Sequence, residues 1–548
     1  MPKVTIDGRT VEVAAGTNLI EAAQKVGVQV PHYCYHPRLS IVGQCRMCLV
    51  KVEGMPKLQT ACSTQVMKDG MVVKVDDPDV KAGQDGMMEF FLINHPLDCP
   101  ICDQAGECGL QDYSFKHGQA FSRFNYEDKR TYPEKERIPL GPHVLLNMNR
   151  CIQCTRCIRF TKEISKTEEL GFFERGHHVE IGTFPGKPLD NPLSGNVVDI
   201  CPVGALTSTE FRFAERVWYL DKKPSICTGC DVGCNITLEH RRGQVRRYKP
   251  RFNAAVNDYW MCDYGRSTFR RYQQLPRLAA PRLRRAGAQQ PATWKEAVDA
   301  LHHRLRTRGE GAVAILGSGF LTNEEAFLLA RLADQVGTPH RSIWVDHGPA
   351  RTIPNPQGGI TGHDAAPNRR GAELAGLVPG EAGIDAEDLL VGDGVSSCSM
   401  LVVADSDFGR AAHDPKVVER LREVPFLVVM GWADTPLAQA ADLALPLAHH
   451  GERDGTFTNC ENRVQKFERA FPAPGEARPL LEVLRDLLAR FDAQWVQANT
   501  ASVFAQLAGA VPAFAGLDYT KLPATGALLT QPQKPGAAAP SAAEGPRP

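Results

Sequence analysis

The sequence of 548 residues lacks several features that would point to familiar classes of partner. Lys and Arg together number 63, as do Asp and Glu, so the formal net charge is zero and the basic excess typical of nucleic-acid binding is missing. No apolar run reaches the length of a membrane span, which predicts a chain without a transmembrane segment. The start, MPKVTIDGRTVEV, has neither the basic nor the apolar region of a secretory signal, so we expect a reducing compartment.

Cysteine is scarce in the second half of the chain and concentrated in the first. Fifteen of the 17 cysteines lie between Cys34 and Cys262, and only Cys398 and Cys460 follow. A disulfide framework belongs to small secreted domains, which this sequence does not resemble. Zinc is a second alternative, because CxxC pairs bind zinc as well as iron, but zinc sites usually consist of two pairs or of Cys/His fingers. Triads of cysteines with a distant fourth favour iron–sulfur clusters.

The first group of cysteines predicts a [2Fe–2S] site. A distant cysteine, a CxxC and a late fourth cysteine follow the plant-type ferredoxin order, although the first gap is longer than usual. The members of this group are Cys34, Cys45, Cys48 and Cys62. Upstream, KVTIDGRTVEV alternates apolar residues around Asp7-Gly8, which predicts a β-hairpin, and Asn18 with Glu21 three residues later predicts the start of a helix. A hairpin, a helix and then a cysteine loop follow one another along the chain in the order typical of a ferredoxin.

The second group is one thiolate short of the four ligands that a [4Fe–4S] cluster needs. HPLDCPICDQAGECGLQDYSF (95–115) contains Cys99, Cys102 and Cys108, and the other groups use the remaining cysteines of this part of the chain. Imidazole replaces thiolate in some iron–sulfur sites, so His95, four residues before Cys99, is the predicted fourth ligand. The alternative is a surface histidine that caps the turn before Pro96. A neutral ligand in place of an anionic one raises the reduction potential of the cluster.

Two further groups predict all-cysteine [4Fe–4S] sites. CIQCTRC followed by a distant Cys-Pro is the bacterial ferredoxin pattern. This third group consists of Cys151, Cys154, Cys157 and Cys201. The fourth group has three cysteines in CTGCDVGC and a return after 27 residues, with a zinc ribbon as its alternative. It consists of Cys227, Cys230, Cys234 and Cys262.

Four segments resemble the family of the large iron–sulfur subunit, called the G subunit, of NADH–quinone oxidoreductase, respiratory complex I. They are CYHPRLSIVGQCRMCLVKVEG (34–54), HPLDCPICDQAGECGLQDYSF (95–115), NRCIQCTRCIRF (149–160) and NVVDICPVGALTS (196–208). In that family a loop with one histidine and three cysteines binds a [4Fe–4S] cluster, which supports His95. Similar cysteine modules occur in [FeFe] hydrogenases, in diaphorase subunits of NAD-linked hydrogenases and in some formate dehydrogenases.

The resemblance implies an electron-transfer subunit with no substrate chemistry of its own. It implies that electrons come from a partner that holds FMN and oxidises NADH, and leave through other cluster-bearing peripheral-arm subunits toward quinone. The first three groups would lie on or near this path, and the fourth, present in only some members, beside it. The chain would be peripheral, on the cytoplasmic side of a bacterial inner membrane.

The chain beyond Cys262 predicts a parallel α/β domain. The strands are expected in AVAILGSGF (312–320), SIWV (342–345), MLVVAD (400–405) and FLVVMGW (426–432), with helices at 323–337 and 413–424. Gly317-x-Gly319-x-x-Thr322 lacks the third glycine of a dinucleotide fingerprint, so a tight strand–helix turn is the better interpretation.

This domain resembles a shortened molybdopterin oxidoreductase without catalytic residues. Catalytic relatives carry a Lys two residues after the last cluster cysteine, where this chain has Tyr264, and commonly an early Cys or selenocysteine, although a serine ligand stays possible. Cys398 comes too late for that role, and Cys460 in DGTFTNCENRVQ (454–465) is interpreted as a buried thiol. No molybdopterin is expected. The runner-up is a molybdenum or tungsten formate dehydrogenase-type catalytic subunit, or the diaphorase subunit of an NAD-linked hydrogenase.

The length predicts several domains, about three or four on length alone. The expected fold is multidomain α+β and α/β: an N-terminal β-grasp [2Fe–2S] ferredoxin-like domain, a [4Fe–4S] ferredoxin-like region, and the shortened α/β domain. The ranges are 1–80 for the [2Fe–2S] domain, 81–120 for the His/Cys site, 121–219 for the ferredoxin-like region, 220–276 for the fourth group's domain and 277–525 for the α/β domain. A disordered tail is expected over 526–548, which is rich in Pro, Ala and Gly.

Overall fold

The structure, a computed structural model, describes residues 1–307, 311–405 and 411–529 and divides into two compact units. The units are Met1–Asp221 and Lys222–Pro548. The predicted boundary between 219 and 220 lies beside this division, and the other boundaries stay predictions. In the part of the chain that the structure describes, no helix combines the length and the apolar character needed to cross a membrane.

The described residues of the first unit form short strands, five α-helices and several short 3-10 helices. Its strands are β1 (Lys3–Ile6), β2 (Arg9–Glu12), β3 (Thr17–Asn18), β4 (Leu49–Val52), β5 (Gln59–Thr60), β6 (Gln65–Val66), β7 (Met71–Lys74), β8 (Ile138–Pro139), β9 (Val144–Leu146), β10 (Leu170–Phe173), β11 (Glu180–Thr183) and β12 (Leu206–Ser208). Its helices are α1 (Leu19–Lys25), α2 (Pro78–Ile93), α3 (Gly109–His117), α4 (Arg156–Glu163) and α5 (Asn196–Ile200).

The N-terminal sheet is mixed and has the strand order β2-β1-β7-β4-β5. The predicted hairpin is confirmed: β1 pairs antiparallel with β2 around Asp7 and Gly8, whose positive φ angles of 46° and 78° suit a two-residue turn. Strand β7 adds to β1 in parallel, which gives the β-grasp arrangement with α1. The predicted helix start is also confirmed, because the Glu21 backbone N–H donates to the Asn18 side chain at 3.0 Å.

The other strands described for this unit pair in three smaller sheets. They are β12-β9-β8, β10-β11 and β3-β6. Helix α4 begins at Arg156, inside the CIQCTRC segment, and contains Cys157 in its first turn, whereas α5 ends immediately before Cys201. These two helices thus position Cys157 and Cys201 of the third group.

The second unit is built on a seven-stranded sheet with the order β17-β16-β24-β23-β22-β18-β19. The strands of this unit are β13 (Asp221–Ile226), β14 (Asn235–Arg241), β15 (Gln244–Pro250), β16 (Arg282–Arg285), β17 (Ala288–Pro291), β18 (Ala312–Ser318), β19 (Arg341–Trp344), β20 (His347–Ile353), β21 (Ile360–Asp364), β22 (Cys398–Ala404), β23 (Leu427–Gly431), β24 (Leu443–Pro446), β25 (Gly455–Thr458), β26 (Arg463–Phe467) and β27 (Ala527–Leu528). The helices are α6 (Asp263–Ser267), α7 (Arg270–Gln274), α8 (Trp294–Arg306), α9 (Asn323–Val336), α10 (Arg369–Leu374), α11 (Ala386–Leu390), α12 (Pro415–Leu421), α13 (Pro436–Ala440), α14 (Leu480–Leu488) and α15 (Thr500–Ala510).

Five neighbouring strands of this sheet, β24 to β19, run parallel, and the predicted parallel α/β domain is confirmed. Alternate residues of β18 enter different cores: Val313 packs with helices α8, α9 and α14, whereas Ala314 packs on the other face. Burial on both faces explains why these strands are continuous apolar runs. The Gly317–Thr322 segment is a tight strand–helix turn as predicted, because a Cβ on Gly317 would meet Leu321 at 2.6 Å.

The predicted tail starts too early. Ala527–Leu528 forms β27, which pairs antiparallel with β26, and Leu529 is buried. These apolar residues complete the edge of the β25-β26-β27 sheet, so the folded part of the chain extends beyond the predicted limit at 525. The rest of the predicted tail, 530–548, lies outside the described residues.

Candidate metal centres

The first group lies in and beside the loop between α1 and β4, and all four of its thiols are buried. Side-chain hydrogen bonds join Cys34 to Cys45 and Cys48 to Cys62. Because each pair shares a proton, the bond from Cys45 lowers the pKa of Cys34 to about 5, while the pKa of Cys45 rises. In the second pair, the hydrogen bond lowers the pKa of Cys62 and raises the pKa of Cys48. The Cys34 side chain is therefore a thiolate at neutral pH, the form that binds metal.

The second group surrounds the start of α3. Cys99 is exposed at a short 3-10 helix, Cys99–Ile101, whereas Cys102 and Cys108 are buried and Cys108 directly precedes α3. Burial raises the pKa of Cys108 to about 11 and also raises that of Cys102. Electrostatic interaction with Cys102 and Cys99 adds to the raised pKa of Cys108, so the three thiols are near neighbours.

His95 follows the end of α2 and is half-buried. Burial, and then the positive charge of Arg150, lowers its pKa to about 4, so the imidazole is neutral at pH 7 as a metal ligand must be. Asp98, which directly precedes Cys99, also acts on His95. The imidazole lines a cleft of about 370 Å³ together with Cys151 of the third group. The structure therefore places His95 in one cleft with Cys151, near the ion pair of Arg150 with Asp98, the residue that directly precedes Cys99.

The third group lines one cavity. Its four thiols share this cavity with apolar side chains, namely Leu146, Ile152, Ile181, Val203, Ala205 and Leu206. Gln153 and Thr155 adopt left-handed backbone conformations, with φ of 54° and 63°, at alternate positions of the CIQCTRC loop. Burial raises the pKa of every thiol in the group, that of Cys201 to about 12. Four thiols around an apolar cavity form the soft donor set that an iron–sulfur cluster needs.

Three cysteines of the fourth group lie in the loop between β13 and β14, and the fourth, Cys262, directly precedes α6. The Cys227 backbone N–H donates to the Cys234 carbonyl at 2.8 Å, and Cys262 caps α6 by accepting from the Gly265 N–H at 3.3 Å. A Cβ on Gly265 would lie 3.0 Å from the Cys227 Sγ and 3.4 Å from the Cys262 Sγ, so both thiols face this glycine. All four thiols are buried, and burial raises the pKa of each one.

Two arginines of α4 connect the first group to the third. The Arg159 guanidinium donates to the carbonyls of Cys34 at 2.5 Å and Cys154 at 3.3 Å. Arg156 donates to the carbonyls of Tyr35 at 2.5 Å and Ile200 at 3.1 Å, and Ile200 directly precedes Cys201. The positions of the two groups are therefore fixed by the same helix.

The segment Pro202–Gly204 connects the third group to the second. The Gly109 backbone N–H donates to the Pro202 carbonyl at 3.1 Å, and the Cys108 thiol lies 3.8 Å from the same oxygen. A Cβ on Gly204 would overlap the Cys102 Sγ. Two thiols of the second group thus pack against the three residues that follow Cys201.

This close approach makes Gly204 a test of the second site. A Gly204→Ala substitution places a methyl group where the Cys102 thiol lies, so we expect the chain to lose about four iron atoms, those of one [4Fe–4S] cluster. The measurement is iron per chain after anaerobic purification. Gly86→Ala is the control, because nothing lies within 4 Å of a Cβ at Gly86 in α2. Full iron content in Gly204→Ala would contradict the assignment of Cys102.

The four ligand sets stay predictions at the level of individual residues. Across residues 1–307, 311–405 and 411–529, no three or more His, Cys, Asp or Glu side chains are arranged to hold a metal ion. Sequence reasoning missed Arg156, Arg159 and Gly204. The arginines fall within a quoted motif, but only the fold shows that they reach Tyr35 and Cys34.

Each predicted group falls within one region that matches a protein-family model. A 2Fe-2S iron–sulfur cluster binding domain matches residues 2–78, and an NADH-ubiquinone oxidoreductase-G iron–sulfur binding region matches 84–123. The ferredoxin-like domain of NADH-quinone oxidoreductase subunit 3 matches 141–207, and a molybdopterin oxidoreductase Fe4S4 domain matches 220–274. The molybdopterin oxidoreductase model matches 377–490. These matches confirm the predicted fold class, with iron–sulfur domains of both kinds.

Three similar proteins are subunits of NADH-quinone or NADH-ubiquinone oxidoreductases. The NADH-quinone oxidoreductase G subunit of Rickettsia conorii is 42% identical over 347 residues, which are 63% of this chain and 50% of that protein. The corresponding G subunit of Streptomyces coelicolor is 43% identical over 334 residues, 60% of this chain and 39% of that protein. The mitochondrial NADH-ubiquinone oxidoreductase 78 kDa subunit of Neurospora crassa is 43% identical over 350 residues, 63% of this chain and 46% of that protein.

The chain spans about half the length, or less, of these relatives. Among solved structures, a chain of an NAD+-reducing [NiFe]-hydrogenase is 28% identical with a TM-score of 0.35, covering 39% of this chain and 91% of that chain. This score is too low to bear on the fold. The four matched iron–sulfur regions and the identities near 40% show instead that the chain is similar to the G subunit of NADH-quinone oxidoreductase.

Proposed function

We propose that this chain is an electron-transfer subunit of an NADH:quinone oxidoreductase. The observation that carries the proposal is that four cysteine-rich groups, predicted from spacing, fall one by one into four matched iron–sulfur regions. The first group would hold a [2Fe–2S] cluster, and the other three would each hold a [4Fe–4S] cluster. The second group would use His95 as its fourth ligand.

The contacts of the first unit support a continuous route. Arg156 and Arg159 tie the first group to the third, and Pro202–Gly204 tie the third to the second. Bound iron–sulfur clusters would supply single-electron transfer. The chain's own residues hold most of the thiols in buried positions and keep the groups of the first unit adjacent, and the neutral His95 would make its site less negative.

The partners follow from the same proposal. An FMN-bearing subunit would oxidise NADH and pass electrons to this chain, and other cluster-bearing subunits of the peripheral arm would carry them toward quinone. The chain would make and break no substrate bond, although it would be part of a translocating oxidoreductase. It would associate with the cytoplasmic face of a bacterial inner membrane through these partners.

The second unit supports a scaffold without a pterin. Phe320, Asp405 and Trp432 follow β18, β22 and β23, at the edge of the parallel sheet where ligands usually bind. The cavity lined by these residues holds only about 10 Å³, about the room that one water needs and far too little for a pterin. Tyr272 stacks on His449 with ring centroids 4.6 Å apart and fills the space beside it. Side chains thus fill the ends of β18, β22 and β23, whereas a cavity of about 240 Å³ lies at the end of β19.

Metal analysis of the anaerobically purified chain tests the proposal. We expect about fourteen iron atoms per chain and no molybdenum, tungsten or zinc. His95→Ala is expected to lower this number to about ten, because one [4Fe–4S] cluster loses a ligand. His117→Ala, which changes a partly buried histidine of α3, is the control and should leave the iron content unchanged. About one molybdenum or tungsten per chain would identify a catalytic subunit instead, and formate oxidation would be assayed next.

A further inference from the structure

A cation lies beside the fourth group in a place that the sequence does not reveal. Tyr264 follows Cys262 by two residues on α6, and the Arg351 guanidinium of β20 lies over the Tyr264 ring, 3.9 Å from the ring centroid. Tyr264 is 44% exposed, so its ring forms the outer wall of this contact. This cation–π contact holds the guanidinium close to Cys262, the last cysteine of the fourth group.

The Arg351 guanidinium has a donor without an acceptor. Its Nη1 is buried and has no hydrogen-bond partner among the described residues. A Cβ on Gly348 would lie 2.9 Å from this nitrogen, so the guanidinium folds back against its own strand where only a glycine leaves room. A buried N–H without an acceptor costs free energy. This cost indicates that a bound group, rather than a protein atom, interacts with the Arg351 guanidinium.

The thiols nearest to this cation belong to the fourth group. Burial raises the pKa values of Cys230 and Cys262, and the charge of Arg351 opposes that rise at both thiols. The same guanidinium therefore acts on two of the four predicted ligands. In contrast, the described contacts of Arg351 include the Tyr264 ring and no carboxylate within ion-pair distance.

We propose that Arg351, positioned by the Tyr264 ring, is the cationic neighbour of a cluster held by the fourth group and raises the reduction potential of that cluster. The proposal rests on the proposed function, because it requires a cluster at the fourth group. Reduction adds a negative charge to a cluster, so a nearby fixed cation stabilises the reduced state more than the oxidised state. Arg351 is a positioning and tuning residue rather than a ligand.

An EPR-monitored redox titration of the anaerobically purified full chain tests this inference. The signal that disappears in Cys227→Ala identifies the fourth cluster. Arg351→Gln is expected to decrease the reduced-to-oxidised ratio of that cluster at a fixed potential about tenfold, which equals a decrease of about 59 mV in its midpoint potential. Arg351→Lys, which keeps the charge, should show a smaller decrease. Tyr264→Leu, which removes the ring but keeps Arg351, should fall between the wild type and Arg351→Gln.

Arg331→Gln is the matched control. Arg331 is also half-buried in the second unit and also lies over an aromatic ring, that of Phe327 at 4.7 Å, but its ion-pair partner is Asp334. This variant should leave the potential unchanged.

Two results would overturn the inference alone. One is an unchanged midpoint potential in Arg351→Gln with the fourth signal intact. The other is equal loss of that signal in Arg351→Gln and Arg351→Lys, which would indicate packing rather than charge. If the wild-type chain instead holds only about ten iron atoms and Cys227→Ala removes no signal, the fourth cluster of the proposed function fails, and this inference fails with it.

Discussion

Replacing Arg159 by Met is expected to detach the first cysteine loop from α4 and to accelerate loss of the [2Fe–2S] cluster. The Arg159 side chain is buried, with 6% of its surface exposed, and it donates to the Ser40 and Cys34 carbonyls, each at 2.5 Å. It also donates to the Cys154 carbonyl and to the Thr155 hydroxyl, the latter at 3.1 Å. Each buried acceptor left unpaired costs about 1–3 kcal/mol. We therefore expect cluster loss at least about tenfold faster, which corresponds to about 1.4 kcal/mol.

The measurement is the rate at which visible absorption and the [2Fe–2S] EPR signal decay in the presence of an iron chelator. Arg159→Lys keeps the charge but offers fewer donors in a different geometry, so its rate should lie between those of the wild type and Arg159→Met. Arg38→Met changes an exposed arginine of the same loop and should match the wild type. Equal decay rates in Arg159→Met and Arg38→Met would contradict the structural role of Arg159.

Local patterns in the sequence predicted much of this fold. The Asp7-Gly8 hairpin, the Asn18 cap of α1 and the strand β18 are all visible within short windows, because turn residues, caps and apolar runs act over a few positions. Helix α9 was predicted within one residue of its ends. Its start is fixed by a capping box between Thr322 and Glu325, and its end by Gly337 at a φ of 70°.

Other elements carry no signal of this kind. The four-residue strand β24 contains only Leu443–Pro446 and is recognisable as a strand only beside β23. The β20–β21 hairpin contains irregular pairing and polar residues, so its pattern does not alternate cleanly. Short strands of this type depend on their neighbours for burial and hydrogen bonds.

The candidate sites likewise combine features that the sequence predicts with features that it does not. Ligand spacing within each cysteine group is local, whereas the contacts that organise the groups are not. Arg159 and Cys34 lie 125 positions apart, and Gly109 contacts Pro202 from 93 positions away. A single sequence contains no pairing information over such distances. For this reason the spacing could suggest candidate ligands, but not that Arg351 would lie over the Tyr264 ring.

Cys227→Ala is expected to reduce the yield of holoprotein more than the electron flux of the complex that still assembles. The Cys227 thiol is 4% exposed and faces Gly265, and a cluster at this site would cross-link the β13–β14 loop to α6. Metal binding that requires the folded site contributes directly to folding stability, so its loss destabilises the second unit. The first three groups all lie in the first unit and keep their ligands in this variant.

The comparison needs three measurements on one preparation of the complex: iron per chain, the amount of assembled complex, and NADH–quinone activity per assembled complex. We expect iron to fall by about four per chain, assembly to fall severalfold, and activity per assembled complex to stay near that of the wild type. Cys398→Ala is the control, because Cys398 is an equally buried thiol of the second unit, at the start of β22, outside the four groups. It should leave all three values unchanged. A Cys227→Ala complex that assembled normally yet lost most of its activity would contradict this expectation. Because assembly would be unchanged, the lost activity would show that electrons pass through the cluster of the fourth group.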